Sequence, residues 1–283
     1  MAQGEWESTK RLIGQAAGIL AAESPMTIRQ LFYRLVSVAA IANTRKDYQR
    51  VSTIMTKARN DGRVGFDSIV DRSRPEYMPN VFEDAAQYAD VVKNAYRKDY
   101  WRLQPERVEL WCEKDSVIGS IEELTNKLGV IVRVSRGFLS TTKAHDLAEV
   151  IKSSEKPMTL FYLGDHDPSG RQIEADMAER IRGYGSKFTI TRLAIHAADI
   201  AKFKLPPLRV KESDSRAAGF LRRYANKSVE LDALPPTELR RRIEGAVREK
   251  LDAELWDRAV MVEQAELMSI REIVKGWPGH TLT

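Results

Sequence analysis

The chain has 283 residues, 43% hydrophobic and 30% charged, with a mean hydropathy of -0.40; that length favours two domains, and the mixture excludes a disordered chain. No run approaches the roughly 20 apolar residues of a membrane span, the first ten residues lack the basic-then-apolar order of a signal peptide, and a lone Cys112 excludes a disulfide framework or a multi-cysteine zinc site, so a cytoplasmic protein with no membrane partner is expected. The net charge of +5 is uneven: residues 1–75 hold 12 Lys/Arg against 7 Asp/Glu, and the rest balances, so the first quarter is where nucleic acid is expected to bind.

Residues 7–22 predict a helix, with Leu12, Ile13, Ala16, Ile19 and Leu20 on one stripe. A second helix is expected to start at Thr27, where Thr27-Ile28-Arg29-Gln30 fits a capping box. Tyr33 lies beside its apolar face of Ile28, Leu31, Phe32, Leu35 and Val36. A third helix over 47–60 turns Val51, Ile54, Met55 and Ala58 inward and Arg50, Lys57 and Arg59 outward. Asp61-Gly62 ends it, and Val64, Phe66, Ile69 and Val70 suggest a short hairpin finishing at Asp71-Arg72-Ser73-Arg74. Three helices and a basic hairpin make a winged helix, whose third helix enters a groove while the hairpin follows phosphates. Arg50, Lys57, Arg59, Arg63, Arg72 and Arg74 are then the DNA contacts. An ordinary helical subdomain is the alternative. Residues 81–104 read as a linker with a helix, which puts the domain boundary between 1–104 and 105–283.

From residue 107 strands and helices alternate: strands over 108–112, 130–134, 158–163 and 188–194, helices over 115–128, 141–151 and 169–184. This predicts an α/β domain with a Rossmann-like parallel sheet, whose functional groups gather at the carboxyl ends of its strands. There the chain places Glu113, after the first strand, and Asp165 and Asp167, after the third. Three such carboxylates repel unless a cation shares them, and hard oxygen ligands suit Mg²⁺, with Mn²⁺ as a substitute. Asp165, Asp167, Ser169, Gly170 and Asp176 also partly match a calcium loop, but a strand enters it where that loop needs a helix.

Glu113-Lys114-Asp115 after a strand, Arg136-Gly137-Phe138 and Gly164-Asp165-His166-Asp167-Pro168-Ser169-Gly170 together resemble a Toprim domain. With a winged helix upstream and Thr27-Ile28-Arg29-Gln30-Leu31-Phe32-Tyr33, residues 25–195 are similar to the A subunit of topoisomerase VI and the meiotic double-strand-break transesterase. The resemblance extends to the small stand-alone A-like proteins of bacteria, plasmids and phages. It implies that Tyr33 attacks a DNA phosphorus and leaves a 5′-phosphotyrosyl link. Arg29 would stabilise the phosphate, Glu113, Asp165 and Asp167 would hold Mg²⁺, and Glu113 would also act as acid or base. The tyrosine of one protomer would work with the metal site of the other, so a homodimer on double-stranded DNA is implied. Position 166 is His and position 169 Ser, where the family usually has a small and often an aromatic residue. Lys114 and Arg171 are candidate phosphate contacts. The chain has no Walker A sequence, so an ATPase (B-type) partner would be another polypeptide.

Residues 196–207 read as a loop with a short helix, and 229–236 as a turn into charged helices over 238–250 and 251–275, a C-terminal extension. Leu239, Ile243, Val247 and Leu251 form a stripe expected to pack on the sheet, with part of a dimer interface as the alternative. Two further readings stay open: a Toprim nuclease that hydrolyses DNA, as in plasmid-defence complexes, and a non-catalytic DNA-binding protein.

Overall fold

A computed structural model describes residues 3–70, 79–210, 217–224 and 226–277. They divide into two compact units, residues 1–74 with 108–249 and residues 75–107 with 250–283.

The first unit begins with α1 (Gln3–Glu23), α2 (Ile28–Ser37) and α3 (Arg45–Asn60). The capping box forms as its sequence demands: Thr27 Oγ1 accepts from Gln30 N–H at 3.2 Å and Gln30 Oε1 accepts from Thr27 N–H at 2.8 Å. Phe32 packs on the Tyr48 ring of α3 edge to face, 5.4 Å between centroids. Arg34 of α2 grips Glu23 at the end of α1 with two nitrogens, both 2.9 Å from a carboxylate oxygen.

The expected hairpin after α3 is not formed among the described residues. Phe66–Ser68 is a single 3-10 turn, and Ile69 pairs with Met26 in one isolated parallel bridge. The backbone groups that a hairpin would use go elsewhere: Met26 N–H donates to Ser68 O at 3.2 Å and Val70 N–H to Met26 O at 3.0 Å. Arg59 Nη2 donates to Phe66 O at 3.0 Å and stacks over the Phe66 ring. The end of that hairpin, with Arg72 and Arg74, lies outside the described residues.

The sheet comprises β1 (Arg107–Cys112), β2 (Ile131–Val134), β3 (Met158–Leu163) and β4 (Thr189–Ala194) in the parallel order β2-β1-β3-β4. Between strands run α5 (Ile118–Lys127), α6 (Thr141–Ser153) and α7 (Pro168–Gly183). All six residues of β3 are buried, as in a sheet covered on both faces. Leu147 and Ile151 of α6 and Met177 and Ile181 of α7 share one core cluster with Trp111, Leu160 and Tyr162. The chain continues through α8 (Ala197–Lys202), α9 (Ala217–Tyr224), which no sequence signal announced, a 3-10 turn at Leu231–Ala233, and α10 (Pro236–Arg248). The stripe of α10 packs against α5 and β4, and Leu239, Ile243 and Val247 are fully buried. The three-helix module is joined to the sheet in the same unit: buried Gln30 donates to Ser120 Oγ at 3.1 Å, while Arg240 donates to Ser120 O at 2.9 Å and to Glu23 O at 3.0 Å.

In the second unit α4 (Ala85–Ala95) packs on α11 (Ala253–Lys275). Tyr100 lies 4.6 Å from the Trp256 ring and donates to Glu263 at 2.8 Å. No described helix is long and apolar enough to cross a membrane.

Ile243→Ala removes a fully buried side chain between α10 and its neighbours; a loss of about 2–5 kcal/mol is expected in urea unfolding of the whole chain.

Candidate functional site

Winding reverses between β1 and β3, which are neighbours in the sheet, and a crevice opens at such a point outside the carboxyl ends of the strands. Those ends are tied together, Glu113 N–H donating to Leu163 O at 2.9 Å. Glu113 then lies against the loop that follows β3, its Oε2 accepting from Asp165 N–H at 3.0 Å. The approach is close enough to require glycine at two places. A Cβ at Gly170 would lie 2.6 Å from Asp165 O and 2.9 Å from Glu113 Oε2, and one at Gly164 would meet Glu113 Oε2 at 2.9 Å and the Tyr162 ring. Asp167 caps α7, its Oδ1 accepting from Gly170 N–H at 2.6 Å, and Pro168 takes the first helical position.

Asp165 is 6% exposed. Its Oδ2 lies 2.9 Å from Lys114 Nζ and its Oδ1 accepts from Leu231 N–H at 2.7 Å. Burial outweighs these partners and pushes its carboxyl up to about 7, with the Glu113 charge adding to the rise. Burial also lifts Glu113 above its ordinary value, and the Asp167 charge adds. The Lys114 ammonium gathers two further acids, Glu230 at 3.1 Å and Asp232 at 3.3 Å. Its pKa is raised, because these acids outweigh burial. Asp232 is fully buried and also accepts from Ser116 Oγ at 3.1 Å.

The same cluster reaches α2. Arg29 Nε lies 3.0 Å from Glu230 Oε2. Tyr33 follows one turn further along the helix, where it feels the charges of both Arg29 and Glu230. Tyr33 is only 4% exposed. Burial, then the Glu230 charge, push its phenol up to about 12, while the Arg29 and Lys114 charges pull it down. Tyr33, Arg29, Lys114 and Asp165 thus belong to one polar cluster within a single chain, with Glu230 and Asp232 joining them.

Sequence reasoning did not mark Glu230, Asp232 or Arg192. Glu230 and Asp232 sat in a segment read only as a turn. That segment pairs with the loop after β3, His166 and Val229 exchanging backbone hydrogen bonds of 2.9 and 3.0 Å. Arg192 is an arginine inside a strand, and that was its signal. It is 8% exposed and donates to the carbonyls of Gly164 at 2.9 Å, Asp165 at 3.1 Å and Gly170 at 3.2 Å, with Glu174 at 2.7 Å as its counter-ion.

The other expected contacts are dispersed. His166 turns away from the carboxylates, its ring against Phe220 and Tyr224, and burial lowers its pKa to about 4. Arg171 donates to Tyr224 Oη at 2.8 Å. Arg50, Lys57 and Arg63 are exposed, Arg50 donating to Ser8 Oγ at 3.3 Å. Arg59 is turned onto the 66–69 turn.

Among the described residues, no three Asp, Glu, His or Cys side chains form a ready group for a metal ion. Asp165 is taken by Lys114 and Leu231, and Asp167 by the start of α7. The donor atoms of Glu113, Asp165 and Asp167 are nonetheless all carboxylate oxygen, the kind that Mg²⁺ takes. Scanned against family models and against curated proteins, the chain matches none.

Two outcomes test this geometry. Gly170→Ala must displace either Asp165 or Glu113, and about 1–3 kcal/mol of stability is expected to be lost. An acid whose pKa is raised by folding binds more protons folded than unfolded between its ordinary 3.8 and about 7, so its contribution to stability falls as pH rises through that window. Urea midpoints compared at pH 5 and pH 8 are expected to drop more for the wild type than for Asp165→Asn.

Proposed function

We propose that this chain is a Mg²⁺-dependent DNA-cleaving transesterase, similar to the A subunit of topoisomerase VI. The observation that carries the reading is the cluster in which Arg29, one turn before the buried Tyr33 on the same helix, reaches Asp165 through Glu230 and Lys114. A nucleophile, two cations and an acidic loop at a sheet's carboxyl edge are the parts that phosphoryl transfer to a side chain needs.

In the proposed step the Tyr33 oxygen forms a bond to a DNA phosphorus, the bond to the 3′-oxygen breaks, and the phenol's proton is lost as the leaving 3′-oxygen gains one. The result is a 5′-phosphotyrosyl link that the free 3′-hydroxyl can reverse. With its phenol at about 12, Tyr33 is protonated at neutral pH, so proton loss accompanies attack. Arg29 supplies positive charge beside both the phenol and the phosphate. Glu113, Asp165 and Asp167 are the residues that would hold Mg²⁺, which when bound supplies positive charge for the phosphate oxygens. The Glu113 carboxyl, already raised by burial, is suited to exchange a proton with the 3′-oxygen. The proposal extends to a winged-helix and Toprim organisation, to a homodimer that makes two offset nicks, and to a separate ATPase subunit for strand passage. Exposed Arg50, Lys57 and Arg63 would meet phosphates.

One observation favours a second reading. Tyr33 is buried, only 4% exposed, which suits a nuclease in which water replaces it as nucleophile.

Supercoiled plasmid with Mg²⁺ or Mn²⁺ separates the two, using wild type, Tyr33→Phe and Asp165→Ala and a denaturing stop with and without protease. DNA breaks that enter the gel only after protease, absent in both variants, are expected. Cleavage that survives Tyr33→Phe but not Asp165→Ala would replace the transesterase with the nuclease.

A further inference from the structure

A carboxylate that collects an arginine and a lysine beside a tyrosine stands where a phosphate would meet the same groups. We infer that Glu230 occupies, in the free chain, the place of the scissile phosphate: beside Tyr33, it holds the Arg29 guanidinium and the Lys114 ammonium closed on itself until a phosphodiester displaces it. The inference rests on the reading that Tyr33 faces a DNA phosphate, and it goes further by assigning Lys114 and Arg29 as the two cations of that subsite and Glu230 as their resting occupant.

The geometry is that of an anion in a receptor. Arg29 approaches Glu230 with two nitrogens, Nε at 3.0 Å from Oε2 and Nη2 at 3.4 Å from Oε1, the fork that guanidinium presents to carboxylates and phosphates alike. Lys114 Nζ lies 3.1 Å from Oε2. The subsite is open on one side, the Arg29 side chain being 48% exposed. Beside it runs a groove of about 420 Å³, part polar and part apolar, in which Arg29, Arg59, Thr27 and Ser52 share the lining with Met55 and Ile69.

Displacing Glu230 need not disturb the fold around it. Its turn is held by main-chain groups, Val229 on His166 and Leu231 N–H on Asp165, so the side chain can leave while the turn stays. Asp165 and Asp232 hold Lys114 from its other contacts, at 2.9 and 3.3 Å, so the ammonium stays in place when Glu230 departs. Phosphate and Glu230 compete for the same charges, and Glu230 therefore weakens DNA binding.

Glu230→Gln keeps size and an acceptor but removes the charge; Glu230→Ala is a second variant should the first fail to fold. Binding to a short duplex oligonucleotide is expected to tighten about tenfold at low salt, with a salt dependence steeper by about one phosphate contact. The gain is expected to vanish when Arg29→Gln is added, as a double-mutant cycle for one shared subsite requires. Tighter binding without any phosphotyrosyl adduct in wild type or variant would support the competition and reject the transesterase. Adduct formation by the wild type with no tightening in either Glu230 variant would overturn the inference alone.

Discussion

A lysine ammonium among three carboxylates organises this molecule. Asp165 and Asp232 are buried, and a buried carboxylate without a partner costs several kcal/mol. Lys114 is the cation that both share with Glu230. Because the lysine follows β1, the aspartate follows β3 and the other two acids come from a turn more than sixty residues later, neutralising that charge fixes three distant segments at one point. Glu230 then extends the same network to α2 through Arg29. The helical module and the sheet are coupled electrostatically as well as by packing.

The loop that carries Asp165 and Asp167 is held from the other side by Arg192. Five donors in a rigid fork let one guanidinium satisfy carbonyls of Gly164, Asp165 and Gly170 at once. With glycine at 164 and 170 the loop comes close to Glu113, so the acids are held near one another despite their mutual repulsion. Burial first, and this proximity second, raise the carboxyls of Asp165 and Glu113.

The elements were legible where local physics decides them. Thr27 and Gln30 specify a capping box without help from the rest of the chain, and alternating strands and helices from residue 107 specify a parallel sheet with its acids at one edge. The expected hairpin after α3 does not form among the described residues, where Ser68 O and Val70 N–H pair with the Met26 backbone. His166, between two aspartates in sequence, points into an aromatic cluster, because residues two apart share a direction and their intermediate does not.

By itself the sequence determined the capping box that starts α2, the α/β class, the basic first quarter and the placing of Glu113, Asp165 and Asp167 after strands, all properties set by spacing along one stretch of chain. Only the tertiary structure decided that Lys114 sits among acids, that Arg192 clamps the loop, and that Glu230 and Asp232 belong to the site at all. These are long-range pairings, made because buried charge must find its opposite wherever the fold brings one, and no local pattern records which partner that will be.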